Sequence, residues 1–168
     1  DSLTAWLAPI LCFTAEEAWQ SRAGDSADSI HLHSYAPVPS EWHDDALGAR
    51  WESIRRVRQV VTSALETARN DGAIGASLQA APTVHVSPEI AAHFDGEDAA
   101  MLFITSDAQI SVEPAPEDAF RIEGVEDAAV VFALAAGGKC ERCWKIMPEV
   151  TGDTDICRRC LEVVNATA

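Results

Sequence analysis

The chain has 168 residues, 48 % of them hydrophobic, and a formal net charge of −15. That length builds one medium domain or two small ones, and no apolar run approaches the ~20 residues of a membrane span. So acidic a chain argues against a generic nucleic-acid binder, and cysteines without a signal-peptide pattern point to a reducing cytosol. Residue 1 is Asp and a helical pattern is under way by Leu3, so the chain reads as a segment of a longer protein.

The charge is unevenly spread. Residues 1–49 hold one Arg and eight acids, and residues 71–136 hold one Arg and twelve acids. Residues 50–70 hold five Arg and two acids, and residues 137–168 hold five bases and five acids. A polyanion would therefore be met by those two segments. Four metal-bound thiolates with one divalent ion carry −2, so the last segment would work through placed side chains rather than a strong field.

In chain order, Leu3, Trp6, Leu7, Ile10 and Leu11 recur at helical steps, and Pro9 predicts a break among them. Thr14 with Glu17 three residues on has the form of a capping box, opening a helix that ends before Gly24. Trp6 and Trp19 are expected in the core. Residues 25–29 read as a loop, and residues 30–33 as a short extended piece. His31 and His33 read as surface histidines without partner ligands. Pro37, Pro39 and Ser40 mark a linker, and residues 40–44 lead into a further helical region.

Residues 51–69 give the clearest helix, with Ile54, Val57, Val61, Ala64, Leu65 and Ala68 as its apolar stripe. Arg55, Arg58 and Arg69 fall on one flank of it. A solvated face explains them simply, but Arg without Lys suits phosphate. Asn70, Asp71 and Gly72 end the helix. Beyond it, residues 83–86 read as a strand and Ser87-Pro88 as a helix start running to about Phe94. Residues 98–102 read as a helical turn. Strand texture covers 103–105, 108–112, 120–122 and 129–134, which makes a small α+β unit. No acid pair in it suggests catalysis.

Residues 140–160 carry the strongest signal: Cys140 and Cys143, thirteen intervening residues, then Cys157 and Cys160. Two C-x-x-C pairs at this distance have the spacing of a four-cysteine zinc site. Such a site is closed, so its Zn²⁺ is structural. Two disulfides, a redox pair and an iron–sulfur cluster compete with it. Trp144 either packs over the site or stacks on a base. Arg142, Lys145, Arg158 and Arg159 interleave with the cysteines. Residues 163–168 read as a short tail.

The run Lys139-Cys140-x-Arg142-Cys143-Trp144, followed by Cys157-x-Arg159-Cys160, resembles the zinc-binding end of bacterial isoleucyl-tRNA synthetases. Residues 9–19, P-I-L-C-F-T-A-E-E-A-W, are similar to the anticodon-domain motif of the isoleucyl, valyl and leucyl enzymes. Residues 30–32 and the segment I-G-A-S-L-Q-A at 74–80 also resemble that family, and the likeness runs the whole chain in order. Cys12 departs from it, where proline is frequent.

The resemblance implies a mainly α chain with an α+β part. Residues 1–70 would be the last helices of an anticodon-binding bundle, 71–136 a small α+β junction domain, and 137–168 a four-cysteine zinc knuckle. It implies one structural Zn²⁺ on Cys140, Cys143, Cys157 and Cys160, and tRNA(Ile) as partner. Contacts would come from Arg142, Trp144, Lys145, Arg158 and Arg159, with Arg55, Arg58 and Arg69. It implies a cytoplasmic monomeric isoleucine–tRNA ligase as the whole protein. ATP would be used in a catalytic domain outside this chain, since none of the ATP-binding signatures is present. A DNA-binding finger like that of formamidopyrimidine-DNA glycosylases, or a zinc-stabilised protein-interaction domain, are the alternatives.

Overall fold

A computed structural model describes residues 2–24, 28–152 and 155–166. They fall into two compact units, Asp1–Asp44 and Asp45–Ala168. The family-based division after Asn70 differs from this, because the long helix packs with the sheet that follows it.

In the first unit, α1 (Ser2–Leu7) and α2 (Cys12–Ala23) pack together. Pro9 has no N–H to give a continuing helix, so the chain turns over residues 8–11 and the Leu11 N–H returns to the Leu7 carbonyl. The helix resumes at once at Cys12, with Leu11 before it and no side-chain cap. The capping box on Thr14 and Glu17 is thus not formed, since Thr14 already lies inside the helix. Gly24, at φ 88°, ends α2.

The working residue of that motif is Glu16. Its carboxylate accepts from Gln20 Nε2 (2.9 Å), Ser29 Oγ (2.8 Å) and the Ile30 N–H (3.0 Å). The Gln20 amide first, then the Ser29 hydroxyl, hold its pKa below the ordinary value. Trp19 Nε1 donates to the Asp28 carbonyl at 2.8 Å. With its first amide captured, the segment at 30–33 winds into a 3-10 turn, Ile30–Leu32, rather than an extended piece. Of the loop expected at 25–29, residues 25–27 lie outside the described residues. Ala5, Ala8, Ala15 and Ile30 form a small core against which Trp19 packs. Trp6 is 39 % exposed, contrary to expectation, because the alanines close this core without it.

The second unit opens with α3 (Asp45–Asn70). Its whole expected stripe is buried, joined by Val60. Gly72 at φ 76° and the Ala73 N–H returning to the Ala68 carbonyl close it. The stripe lies on a four-stranded sheet of order β2-β1-β4-β3: β1 Thr83–Val86, β2 Gln109–Ser111, β3 Phe120–Ile122, β4 Val125–Val131. β1 and β2 run parallel; the other pairs are antiparallel, with Val84 opposite Val130. These two valines, Phe94 and Phe103 meet the helix stripe in one core.

Two strand expectations shift. Residues 103–105 end α5 (Ala99–Phe103), where Asp98 caps the Met101 N–H and Ile104 takes a left-handed turn at φ 58°. β4 begins directly after the Gly124 turn, four residues ahead of the expected strand. Glu126 and Asp127 hide its first half, and the chain leaves the sheet after Val131, Leu134 keeping only an isolated bridge to Ala80. The Ser87-Pro88 start is as read, with Ser87 capping α4 (Pro88–Ala92). The "tail" is helical as far as it is described: α6 covers Arg158–Ala166, and residues 167 and 168 lie outside the described residues.

Candidate metal centre

A short ribbon carries the cysteines. β5 (Gly138–Lys139) pairs with β6 (Ile146–Met147), Lys139 opposite Ile146. Between them the Cys140 N–H donates to the Lys145 carbonyl and the Trp144 N–H to the Cys140 carbonyl, each at 2.9 Å. Trp144 accepts φ 66° to close this knuckle, a conformation that costs a non-glycine residue. The Glu141 N–H donates to the Asp155 carbonyl at 2.8 Å and brings up the second pair. Cys157 just precedes α6, and Cys160 sits in its first turn.

The result is one cluster. The four Sγ atoms of Cys140, Cys143, Cys157 and Cys160 lie within 4.8 Å of one another. Cys143 Sγ and Cys157 Sγ are 3.8 Å apart, the edge length of a tetrahedron with metal–sulfur bonds of about 2.3 Å. A disulfide needs about 2.05 Å, and all the cysteines are unbridged. The Cys157 N–H donates to Cys140 Sγ at 3.3 Å, as it would to a thiolate. The cluster is buried except for half-buried Cys143. The residues present therefore fit a four-coordinate metal ion, and the set could hold one. His31 and His33 take no part in it: they belong to the first unit, where the His33 ring leans on Trp19.

The thiols are unequal. Burial pushes Cys140 up, but the N–H groups of Cys143, Cys157 and Arg142 outweigh it and bring its pKa down to about 6. Burial pushes Cys143 up to about 12 and raises Cys157 too. Four thiolates this close repel one another and need a cation between them.

Around the cluster lie the expected contact residues. Trp144 is 62 % exposed, so it does not cover the site; Lys139 Nζ stands 5.7 Å from its ring centroid. Arg142, Arg158 and Arg159 are exposed and Lys145 is half-buried. Arg158 pairs loosely with Glu162 at 3.8 Å. The α3 arginines are differently placed. Arg58 Nε donates to the Leu102 carbonyl at 2.9 Å and so ties the helix to α5. Arg55 and Arg69 each meet a glutamate three residues back, Glu52 and Glu66. Sequence reasoning missed Lys139 as a partner of Trp144, although it adjoins Cys140 in the motif. Nor does the sequence signal the hydrogen bond from the Ile146 N–H to Ser106 Oγ at 2.6 Å, whose partners are 40 residues apart.

The sequence model of the family described as "Anticodon-binding domain of tRNA ligase" matches residues 1–86. The isoleucine–tRNA ligase of Gluconobacter oxydans is 48 % identical over 168 residues, 98 % of this chain and 17 % of the relative. Those of Agrobacterium fabrum (47 % over 154 residues, 91 % of this chain, 16 % of the relative) and Ruegeria pomeroyi (44 % over 164, 94 % and 17 %) are alike. The chain thus spans about a sixth of the length of the curated relatives it matches. No helix among the described residues is long and apolar enough to cross a membrane. With half its residues matched by that model, the chain belongs to the family of anticodon-binding domains of tRNA ligases.

Proposed function

We propose that this chain is the tRNA-binding C-terminal part of an isoleucine–tRNA ligase, cytoplasmic and monomeric, with tRNA(Ile) as its partner. The observation that carries this is an exposed Trp144 among unburied cations on a four-cysteine ribbon, in a chain alike to isoleucine–tRNA ligases over 98 % of its length. Residues 1–70 would supply the last bundle helices, of which α3 also packs on the sheet of the 71–136 junction, and 137–168 the zinc module. ATP and isoleucine would be handled by parts of the protein outside these residues.

Cys140, Cys143, Cys157 and Cys160 would hold one Zn²⁺, which supplies the charge that lets four thiolates coexist and so folds the ribbon. The ribbon's own residues do the binding. Arg142, Arg158 and Arg159 meet phosphates through guanidinium N–H groups. Trp144 offers a π face to an unstacked base, and Lys139 over its other side holds the ring. Arg55 and Arg69, on the α3 flank, are reserve phosphate contacts; Arg58 acts through the fold. The test is a titration of tRNA into the zinc-loaded chain at several salt concentrations. Arg158→Glu with Arg159→Glu should weaken binding and flatten the salt slope by about 0.7–0.9 for each phosphate no longer neutralised. An unchanged slope removes these arginines, and equal affinity for duplex DNA would favour a general nucleic-acid finger.

A further inference from the structure

Ser106 lies 40 residues ahead of β6 in the chain, yet its hydroxyl bonds to it. The Ile146 N–H donates to Ser106 Oγ at 2.6 Å, and the same hydroxyl donates to the Leu78 carbonyl. A hydroxyl has one proton to give and two lone pairs to receive, so one side chain can join both. Leu78 belongs to the 3-10 turn Ser77–Gln79, which is itself tied to the stretch of chain that leads from β4 into the ribbon. There the Ala135 N–H donates to the Gln79 carbonyl and the Ala81 N–H to the Ala133 carbonyl, both at 2.8 Å.

The surroundings fix this hydroxyl with care. The Ser106 N–H donates to the Ala80 carbonyl at 3.2 Å, and the Thr105 N–H to the Ala100 carbonyl at 2.9 Å. Thr105 is fully buried and Ser106 nearly so. Two residues earlier, Ile104 sits at φ 58°. A β-branched residue there is an outlier, and backbone strain of this kind persists where the surroundings over-determine it. Between the ribbon and the end of the sheet is a cleft of about 350 Å³, lined by Ala81, Ser106, Leu134, Ala135, Met147 and Pro148 among others. The junction therefore holds open space, and the Ser106 hydroxyl supplies a directional bond across it.

We infer that Ser106 is a positioning residue: through Ile146 it fixes how the cysteine ribbon, and Trp144 with it, is presented to tRNA. The inference rests on the reading of the ribbon as the tRNA contact. Ser106→Ala removes the link without touching the metal ligands.

The test uses the zinc-loaded chain, its Ser106→Ala, Ser106→Thr and Trp144→Ala variants, and the Ser106→Ala/Trp144→Ala double variant. Metal content, amide hydrogen exchange and affinity for a transcript with the isoleucine anticodon are measured for each. The Ser106→Ala variant should keep one zinc and keep the Cys140 and Trp144 amides protected, while its Ile146 amide exchanges about tenfold faster or more. Its affinity should fall about three- to tenfold, the size of one net hydrogen bond. Ser106→Thr should restore both, and Ser106→Ala should cost nothing further when Trp144 is already Ala. Unchanged Ile146 exchange overturns the inference, as does full affinity in Ser106→Ala beside weakened Trp144→Ala. Failure of the underlying tRNA reading looks different: Trp144→Ala alone would bind as the parent does.

Discussion

Gly137→Ala should open the ribbon from a residue that touches no cysteine. Gly137 sits at φ 116°, and a Cβ there would lie 2.1 Å from the Met147 carbonyl oxygen and 2.6 Å from Pro148 N. These are backbone atoms of the facing strand, so no rotamer change relieves them; the strands must part by more than about 1 Å to reach an ordinary contact of about 3.4 Å. The backbone conformation itself costs about 1–3 kcal/mol for a side-chain-bearing residue, and breaking the Gly138–Met147 pairing adds about 1 kcal/mol. Gly124→Ala provides the control: its φ is 80°, but no atom lies within 4 Å of the added Cβ. It bears a conformational cost of about 1–2 kcal/mol, and its turn joins β3 to β4, away from the ribbon. Because ribbon closure and metal binding are coupled, a total cost of about 2–4 kcal/mol to the ribbon in Gly137→Ala corresponds to about a 30- to 1000-fold drop in zinc affinity. Competition with a chromophoric chelator measures it. Zinc affinity in Gly137→Ala within about threefold of the parent refutes the reasoning, as would an equal drop in Gly124→Ala.

Two further outcomes follow from the same geometry. Metal capture must displace the protons of Cys143 and Cys157, whose thiols burial holds above their ordinary pKa, whereas Cys140 ionises near 6. Apparent zinc affinity should therefore rise with pH between about 6.5 and 8 by at least about two decades per unit, one for each proton displaced; a flat profile in chelator competition would contradict this. Val57→Ala removes two methyl groups from a fully buried position between α3 and the sheet. At about 0.8 kcal/mol per group plus a cavity term, it should cost about 2–3 kcal/mol in denaturant unfolding. Zinc affinity should not move, and a parallel fall in bound metal would show that core and ribbon fold as one.

What the sequence makes legible depends on how local the cause is. The stripe on α3 is read correctly because a 3.6 period sustained along a long helix has one buried face, and the four-cysteine set because C-x-x-C is itself a turn. Ser87 and Gly72 are legible for the same reason: cap and stop lie close in sequence to what they satisfy. Thr14 misled because Pro9 allows the helix to restart at Cys12, ahead of the cap that Thr14 would supply. The first half of β4 was hidden because Glu126 and Asp127 interrupt its apolar texture, and Phe103 mimicked a strand because a helix as short as α5 shows too little period. Ser106 is illegible in principle: its partners, Leu78 and Ile146, are 28 and 40 residues away, and only the folded chain brings them to it.

The same non-local logic bears on how so acidic a chain would meet RNA. The sequence puts five arginines on α3, but the fold engages them all. Arg50 donates to the His93 and Asp95 carbonyls and to Glu97, Arg56 pairs with Asp127, and Arg58 holds Leu102. Arg55 and Arg69 retain glutamate neighbours. On the ribbon, by contrast, Lys139, Arg142, Lys145 and Arg159 stand without a carboxylate partner among the described residues. At physiological salt the field of the acidic sheet unit is screened over about 8 Å, whereas a guanidinium–phosphate contact acts at under about 3 Å. The ribbon's few cations would then select a geometry of contact rather than supply a general attraction. On that account the angle of the ribbon would matter alongside its charge, and the Ser106 hydroxyl bonded to Ile146 is the contact proposed to set that angle.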